Sequence, residues 1–180
     1  MAQRVVDEAP RFRADFAVRR PKTIWLLLVA FFLPSLANAL KILVQQSESA
    51  EYRLFDAAGI GMMLYLLAIA VVALEAAAIR YLWRPEPVGF RLGIASAIVG
   101  AIIVLVTAAA ALQSPDALRS IVEASQAETG RMTTPESIEF ATSPTGILVG
   151  MGLELVWLAI WAALVVWNRP YFDVKVPESS

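Results

Sequence analysis

Residues 92–112, LGIASAIVGAIIVLVTAAAAL, form a continuous apolar stretch without a single charged side chain. A helix rises about 1.5 Å per residue, so a stretch of this length crosses the roughly 30 Å hydrocarbon core of a bilayer. No water is present there to solvate exposed peptide groups, and a helix satisfies its own backbone hydrogen bonds. The stretch therefore predicts a membrane-spanning helix.

Three other stretches have the same character, and residues at their ends support their limits. Asp56 can cap the second helix, Pro85 and Pro87 close it, and Ser143-Pro144 has the N-cap and N1 pattern for the fourth. We therefore expect an all-α membrane protein, an antiparallel four-helix transmembrane bundle within residues 23–168. The predicted spans are about 23–44, 57–83, 89–112 and 145–167.

The overall composition limits the chemistry that the chain can perform. Its residues are 58% hydrophobic and only 17% charged, whereas about a quarter are charged in a soluble domain. Cys and His are absent, which excludes disulfides, thiolate chemistry, haem imidazoles and His-based metal sites. No phosphate-binding loop or nucleophile motif is present. We expect no catalytic residue, cofactor, metal or nucleic-acid partner, and hence a protein that is not an enzyme.

The distribution of charge predicts the orientation of the spans, because basic residues accumulate on the cytoplasmic side. The segment 1–22, the turn between spans two and three and the tail 169–180 carry most of the basic residues, whereas acids dominate the other two connections. Both termini are therefore expected in the cytoplasm. The basic residues near the inner ends of the spans are Arg11, Arg13, Arg19, Arg20, Lys22, Arg80, Arg84, Arg91, Arg169 and Lys175. The other two connections hold Arg53, Arg119 and Arg131 against eight acids, Glu48, Glu51, Asp56, Asp116, Glu123, Glu128, Glu136 and Glu139.

The first span has a second interpretation, as a cleavable secretory signal. A basic segment precedes an apolar run, and Ala37-Asn38-Ala39 has the small-residue pattern of a cleavage site. However, the apolar character continues through residues 40–44, as in a retained helix. Cleavage would leave three spans in the same orientation, so both interpretations stay open at this point.

The connection 113–144 is the only sizeable region outside the predicted spans. Ser114-Pro115 marks a helix start, Leu118 and Ile121 fall on one face, and Thr133 with Glu136 has capping-box spacing for a second short helix. The pattern predicts a helical hairpin on the outer leaflet. A docking surface for a partner is the alternative.

Ionisable side chains inside a bilayer cost several kcal/mol and require an explanation. Glu154 in span four and Lys41 in span one lie at similar predicted depths, with Asn38 one turn from Lys41. We predict a Lys41–Glu154 ion pair with Asn38 as a hydrogen-bonding third member. The alternative is that Lys41 extends to the outer headgroups.

Glu75 in span two is the second intramembrane acid. At its depth Ser96 of span three offers a hydroxyl, and Arg80 or Arg91 could reach it from the inner side. These are structural interpretations; the functional one is a proton-carrying carboxylate. Glu75 and Glu154 are offset by roughly 12 Å in depth, too far to act together on one bond.

Small residues line spans three and four at helical spacing. Gly93, Ala97 and Gly100 lie in span three, and Gly146-x-x-x-Gly150 lies in span four. Such residues allow helices to approach closely in membranes. They predict helix–helix contacts, within the chain, with a membrane partner or with a second copy.

The end of the fourth span carries a family resemblance. Trp167-Asn168-Arg169-Pro170-Tyr171-Phe172 places a Pro-Tyr-Phe sequence directly after the helix. The chain thereby resembles small bacterial four-span proteins with a domain of unknown function, although 173–177 departs from their basic tail. The resemblance implies a bacterial inner (plasma) membrane setting and implies no activity.

These observations support two hypotheses for the function. The first is a non-enzymatic accessory or scaffold subunit that acts through helix–helix and outer-loop contacts. The second is a small transporter or channel component that uses Glu75 and Glu154. A cavity that connects either carboxylate to a surface favours the second hypothesis, and dry packing favours the first.

Overall fold

The computed structural model describes residues 21–45, 48–83, 86–129 and 134–173, and the regular structure of these residues is helical. The basic segment before Pro21 and the tail beyond Asp173 lie outside the described residues. The helices are α1 (Lys22–Gln45), α2 (Ala50–Ala57), α3 (Gly61–Leu82), α4 (Pro87–Gln113), α5 (Pro115–Thr129), α6 (Pro135–Thr142), α7 (Pro144–Trp167) and α8 (Arg169–Phe172).

Four of these helices are long and apolar enough to cross a membrane. They are α1, α3, α4 and α7, and they correspond to the four predicted spans. The expectation of an all-α chain with four membrane-length helices is therefore confirmed for the described residues.

The first long helix contains a turn of π-helix at Leu28–Phe32. Pro34 follows it closely; a proline has no N–H to bond the carbonyl four residues before it, and its ring crowds that carbonyl. Wider turns of this kind occur inside α-helices and bend them, as prolines do. Phe31 and Phe32 on this turn are both buried.

The second long helix begins later than the sequence predicts. Residues 50–57 form the separate helix α2. Ser49 caps its start by accepting a hydrogen bond from the Tyr52 N–H at 3.1 Å. Gly59 then adopts a φ of +75°, which a residue without Cβ tolerates, and α3 starts at Gly61 without a side-chain cap. Asp56 is therefore not the cap of this helix, and that prediction was wrong.

The fourth long helix begins as predicted. The Ser143 hydroxyl accepts a hydrogen bond from the Gly146 N–H at 3.0 Å, and Pro144 occupies the first helical position. The N-cap prediction is confirmed. A proline costs nothing there because its missing N–H would have had no helical partner.

Side-chain contacts bring the ends of the long helices together. At one end, the Thr23 hydroxyl donates to Asn168 Oδ1 at 2.5 Å, and the Tyr171 hydroxyl donates to the Leu82 carbonyl at 3.2 Å. We call this the terminal end, because α1 starts and α7 ends there. Its core is rich in aromatic and large aliphatic side chains: Ile24, Leu27, Leu28, Phe31, Phe32, Ala78, Leu82, Trp161, Val165, Tyr171 and Phe172.

The opposite end, which we call the loop end, has a separate and smaller core. The short helix α2 contributes to it, and α5 packs against it through Leu118 and Ile121. The hairpin prediction for 113–144 agrees with α5 and α6, although Thr134 caps α6 rather than Thr133, which lies outside the described residues. The buried members of this core are Ile42, Leu54, Phe55, Leu64, Ala68, Ala110 and Ala111.

The long helices do not pack equally with one another. Contacts between α1 and α3, between α3 and α4, and between α4 and α7 are extensive, whereas α1 and α7 meet mainly through the first turns of α1. The terminal end is therefore closed on all sides, while α1 and α7 leave a gap closer to the loop end.

Candidate functional site

A cavity of about 410 Å³ lies among the four long helices, between the two cores. Ligand pockets in proteins are typically about 300–1,000 Å³, so this volume suits a small molecule. Its lining residues are Ala30, Phe31, Pro34, Ser35, Asn38, Ala39 and Ile42 of α1; Leu64, Leu67, Ala68, Val71 and Glu75 of α3; Ser96, Val99, Gly100, Ile103 and Val104 of α4; and Glu154, Trp157, Leu158 and Trp161 of α7.

Exposure along the lining locates the opening of the cavity. The exposed lining residues are Pro34 and Asn38 on α1 and Glu154 and Trp157 on α7, while every lining residue on α3 and α4 is buried or half-buried. The cavity therefore opens sideways, through the gap between α1 and α7, with α3 and α4 forming its back wall.

Glu75 lies at the base of this cavity and is only 2% exposed. The Ser35 hydroxyl of α1 donates a hydrogen bond to its Oε1 at 3.1 Å, while Oε2 has no partner among the described residues. The sequence predicts Ser96 or an arginine as the partner. That prediction was wrong: the crossing of α1 over α3 supplies Ser35 instead, and Arg80 and Arg91 remain exposed.

Buried polar atoms without a hydrogen bond converge on the same cavity. Within the described part of the chain they are Glu75 Oε2, Ser96 Oγ and Trp161 Nε1, and all three residues belong to the lining. Leaving a buried donor or acceptor unsatisfied costs about 1–3 kcal/mol. Three residues of the lining thus each carry a polar group without a partner among the described residues: a carboxylate oxygen, a hydroxyl and an indole N–H.

The two carboxylates that the sequence separates line one space. Glu75 belongs to the buried back wall and Glu154 to the exposed mouth, where Asn38 faces the same gap from α1. The sequence alone does not connect them, because they lie on different helices at different depths. They line one cavity because of the gap between α1 and α7, and this gap depends on helix packing.

The predicted Lys41–Glu154 ion pair is not formed. The ion pairs of the described residues are Arg119–Glu123 and Arg169–Asp173, both exposed. Lys41 is exposed and does not belong to the cavity lining, whereas Asn38 and Glu154 do. The pair is absent because α1 and α7 make few contacts in this half of the bundle.

Aromatic side chains close the cavity toward the terminal end. Phe31 stacks on Trp157 with ring centroids 4.6 Å apart, and Phe32 packs edge-on against Trp161 at 4.8 Å. The sequence patterns do not single out Phe31 and Phe32. The nearby Pro34 was the available signal, because a disturbed helix near a proline can turn consecutive side chains inward.

The small residues of α4 have the packing role that the sequence predicts for them. A Cβ on Gly93 would lie 3.0 Å from Val165, and one on Gly100 would lie 2.9 Å from Leu158, so both permit close contact with α7. Ala97, between them, is buried. These residues hold α4 and α7 together behind the cavity.

The two glycines of α7 behave differently from each other. A Cβ on Gly146 would collide with the Phe140 carbonyl oxygen, so this glycine permits the tight junction between α6 and α7. Gly150 has nothing within 4 Å of its Cβ position. The predicted close approach of another helix along Gly146-x-x-x-Gly150 does not occur among the described residues of this chain.

Comparisons with known proteins provide no assignment for this site. No protein-family model, no curated protein and no solved structure matches the chain. The described residues also contain no group of three or more Asp, Glu, His or Cys side chains that could hold a metal ion. The cavity itself is therefore the basis for a functional assignment.

Proposed function

We propose that this chain is a multi-pass membrane protein whose cavity binds a small amphipathic molecule from the bilayer, as a small transporter or a component of one. The observation that carries the proposal is the convergence of three unsatisfied buried polar atoms on a cavity that opens sideways. Burial of such polar groups in a membrane protein costs free energy, and the groups are usually functional. The prediction that the chain is not an enzyme is retained.

The membrane setting is the first part of the proposal. The four apolar helices form an antiparallel bundle, with the terminal end in the cytoplasm of a bacterial inner membrane. The basic residues near that end support this orientation. The contact of Trp25 with Trp83 supports a membrane interface at this end, because tryptophans collect at both interfaces. A reporter fused after Ser180 should be active only on the cytoplasmic side; activity outside would overturn the orientation.

We further propose that α1 is retained in the mature protein. The sequence Ala37-Asn38-Ala39 lies inside α1, and Ala39 is 4% exposed. Phe32 earlier in the same helix is fully buried in the terminal core. Loss of α1 would remove one wall of the cavity, so the intact mass of the purified protein should include residues 21–45.

The direction of the opening indicates where the ligand comes from. Glu154 lies about 20 Å along α7 from Trp167, near the middle of the helix, so the mouth faces the hydrocarbon region. Leu153, Val156 and Ile160 of the same helix segment are exposed apolar side chains. A ligand entering this way needs apolar surface to dissolve in the bilayer and a polar group to engage the base of the cavity.

Photolabelling tests the binding function directly. An alkyl diazirine alcohol added to proteoliposomes should label cavity residues more strongly than lipid-facing residues such as Leu66 and Ile102. Val99→Phe, which fills the cavity, should abolish the excess, whereas Ile98→Phe on the exposed side of the same helix should not. Equal labelling of cavity and lipid-facing residues would contradict the proposal.

A second function, as an accessory or scaffold subunit, is supported by the exposure of α7. Only 11% of its most apolar 18-residue segment is buried, against 28–33% for the corresponding segments of the other long helices. Because the chain has no cysteine, Leu153→Cys introduces a single thiol on this face. Disulfide-linked dimers in native membranes would support contact with a second copy, with Leu105→Cys on α4 as control. Equal, low crosslinking of both variants would count against self-association.

A further inference from the structure

We propose that the cavity selects a lipophilic organic cation, such as an ammonium or phosphonium compound, with Glu75 as its counter-ion. This inference deepens the proposed function and rests on it. It concerns the chemical class of the ligand, and it is supported by the charge of the lining, the geometry at Glu75 and the aromatic rings beside it.

The lining of the cavity is acidic. It contains the carboxyl groups of Glu75 and Glu154 and no lysine or arginine. Lys41 is the basic residue of α1 that is nearest in sequence to the lining residue Asn38. It forms no ion pair with Glu75 or Glu154, and it lies outside the lining. Two acids of like sign in one space of low polarity repel an anion and attract a cation.

One oxygen of the Glu75 carboxyl group has no partner among the described residues. Ser35 donates to Oε1, which orients the group, and Oε2 is left without a partner among the described residues. A buried carboxylate oxygen forms its strongest hydrogen bonds and ion pairs with cationic groups. The Ser96 hydroxyl and the Trp161 indole N–H are also unpartnered on this lining, and the hydroxyl can orient polar substituents of the ligand.

Aromatic side chains give the cavity a second affinity for cations. Phe31, Trp157 and Trp161 belong to the lining and pack on one another, with centroid separations of 4.6 Å and 5.3 Å from Phe31. A cation near an aromatic face gains about 0.5–2 kcal/mol, most where water is excluded. Organic cations with apolar substituents use such rings and the aliphatic wall of α3 and α4 together.

The two carboxylates mark a path from the mouth to the base. Glu75 lies about 10 Å from the terminal end of α3, and Glu154 lies about 20 Å from the terminal end of α7. A cation that enters from the bilayer passes the exposed Glu154 and Asn38 before it reaches Glu75. Glu154 therefore attracts the ligand, and Glu75 holds it.

Tetraphenylphosphonium binding to the full chain in lipid nanodiscs tests this selectivity. Glu75→Gln should weaken binding at least tenfold, because it keeps the shape and removes the charge. Glu154→Gln should weaken binding a few-fold, because Glu154 lies at the mouth. Glu139→Gln, an exposed acid on α6, is the matched control and should leave binding unchanged.

A charge series on the wild-type chain keeps the test independent of any variant. Tetraphenylphosphonium should bind at least tenfold more tightly than its anionic counterpart tetraphenylborate and than neutral tetraphenylsilane. If all three compounds bind with equal affinity and Val99→Phe weakens their binding, the inference of cation selection is wrong. The proposal that the cavity binds a ligand would still hold. Binding of none of them, with cavity photolabelling intact, would likewise overturn only this inference. Loss of the photolabelling as well would overturn the proposed function.

Discussion

The two halves of the bundle contain the same four helices and differ in what fills the space between them. At the terminal end, Phe32, Leu27 and Val165 are fully buried, and Phe172 packs against Gly89 of α4. Toward the loop end, α1 and α7 present Asn38 and Glu154 to a cavity of about 410 Å³. The terminal half is a packed core, and the cavity lies between this core and the smaller core of the loop end.

The difference shows that side-chain volume, more than helix position, decides whether this bundle is closed. Along the inward face of α7 the residues run from Gly150 and Glu154 to Trp157, Trp161 and Val165. Trp157 and Trp161 meet the phenylalanines of the π-turn in α1. Val165 packs against Gly93 of α4, and Glu154 faces the gap. Between apolar helices, close packing of side chains supplies much of the association energy.

The largest effect is expected from Phe32→Ala in the packed half. Phe32 is fully buried against Trp161, and truncation of a buried phenylalanine costs about 3–5 kcal/mol. We expect a loss near the lower end of that range, because lipid or detergent solvates an exposed phenylalanine better than water does, so that burial of the ring gains less free energy. Unfolding in mixed detergent–SDS micelles measures it. Val29→Ala, 60% exposed on the same helix, should change stability by less than about 0.5 kcal/mol.

Alanine substitution of two glycines should give effects of opposite sign in the two halves. A Cβ on Gly89 would lie 2.7 Å from the Tyr81 carbonyl oxygen and 2.9 Å from Phe172, so Gly89→Ala should destabilise by about 2 kcal/mol. Gly150 is open, and Gly150→Ala should stabilise by up to about 1 kcal/mol through helix propensity. The same micelle titration compares them. Equal effects would show that the halves do not differ in packing.

Replacement of Glu75 by leucine should separate stability from function. Glu75→Leu replaces an ionisable side chain that is only 2% exposed by an apolar one, and the expected gain in unfolding free energy is about 1–2 kcal/mol, because burial of an ionisable group is costly even where water reaches it. Tetraphenylphosphonium binding should be lost at the same time. A stabilised variant with intact binding would show that the carboxylate is not the ligand-holding group, and a destabilised one would show that Ser35–Glu75 is a structural link.

Removal of one hydroxyl from each half is expected to give the smallest difference. Tyr171→Phe deletes the hydrogen bond to the Leu82 carbonyl in the dry terminal core and should cost about 1 kcal/mol. Ser35→Ala deletes the hydrogen bond to Glu75, but water entering the cavity can replace it, so the cost should stay below about 0.5 kcal/mol. A larger cost for Ser35→Ala than for Tyr171→Phe would mean that the cavity is dry.

Sequence patterns predicted the helical elements more accurately than the polar contacts. The apolar stretches locate the four long helices, and Ser143-Pro144 locates the start of α7. Asp56 failed as a cap because Gly59 and Ile60 insert a turn before α3. Local signals specify where a helix can begin, but the neighbouring turn decides which of them is used.

The resemblance to small four-span proteins drew attention to Pro170-Tyr171-Phe172, but it did not indicate what these residues do in the fold. In the folded chain Tyr171 and Phe172 are buried at the terminal end, where one bonds the end of α3 and the other packs against Gly89 of α4. The short helix α8 therefore joins α3, α4 and α7. The sequence offers no signal for this role, because the contacts lie more than eighty residues apart.

The amino-acid order alone determines the set of four apolar helices and predicts their orientation, because water and hydrocarbon discriminate between side chains one at a time. The pairing of Glu75 with Ser35, the lack of a Lys41–Glu154 pair and the shared cavity arise only in the tertiary structure. The pairing of Glu75 with Ser35 depends on the crossing of α1 over α3. The other two depend on how far α1 stands from α7, which is set by the bulk of facing side chains and the π-turn at Leu28–Phe32. Such distances are properties of packed pairs of helices, and no single helix encodes them.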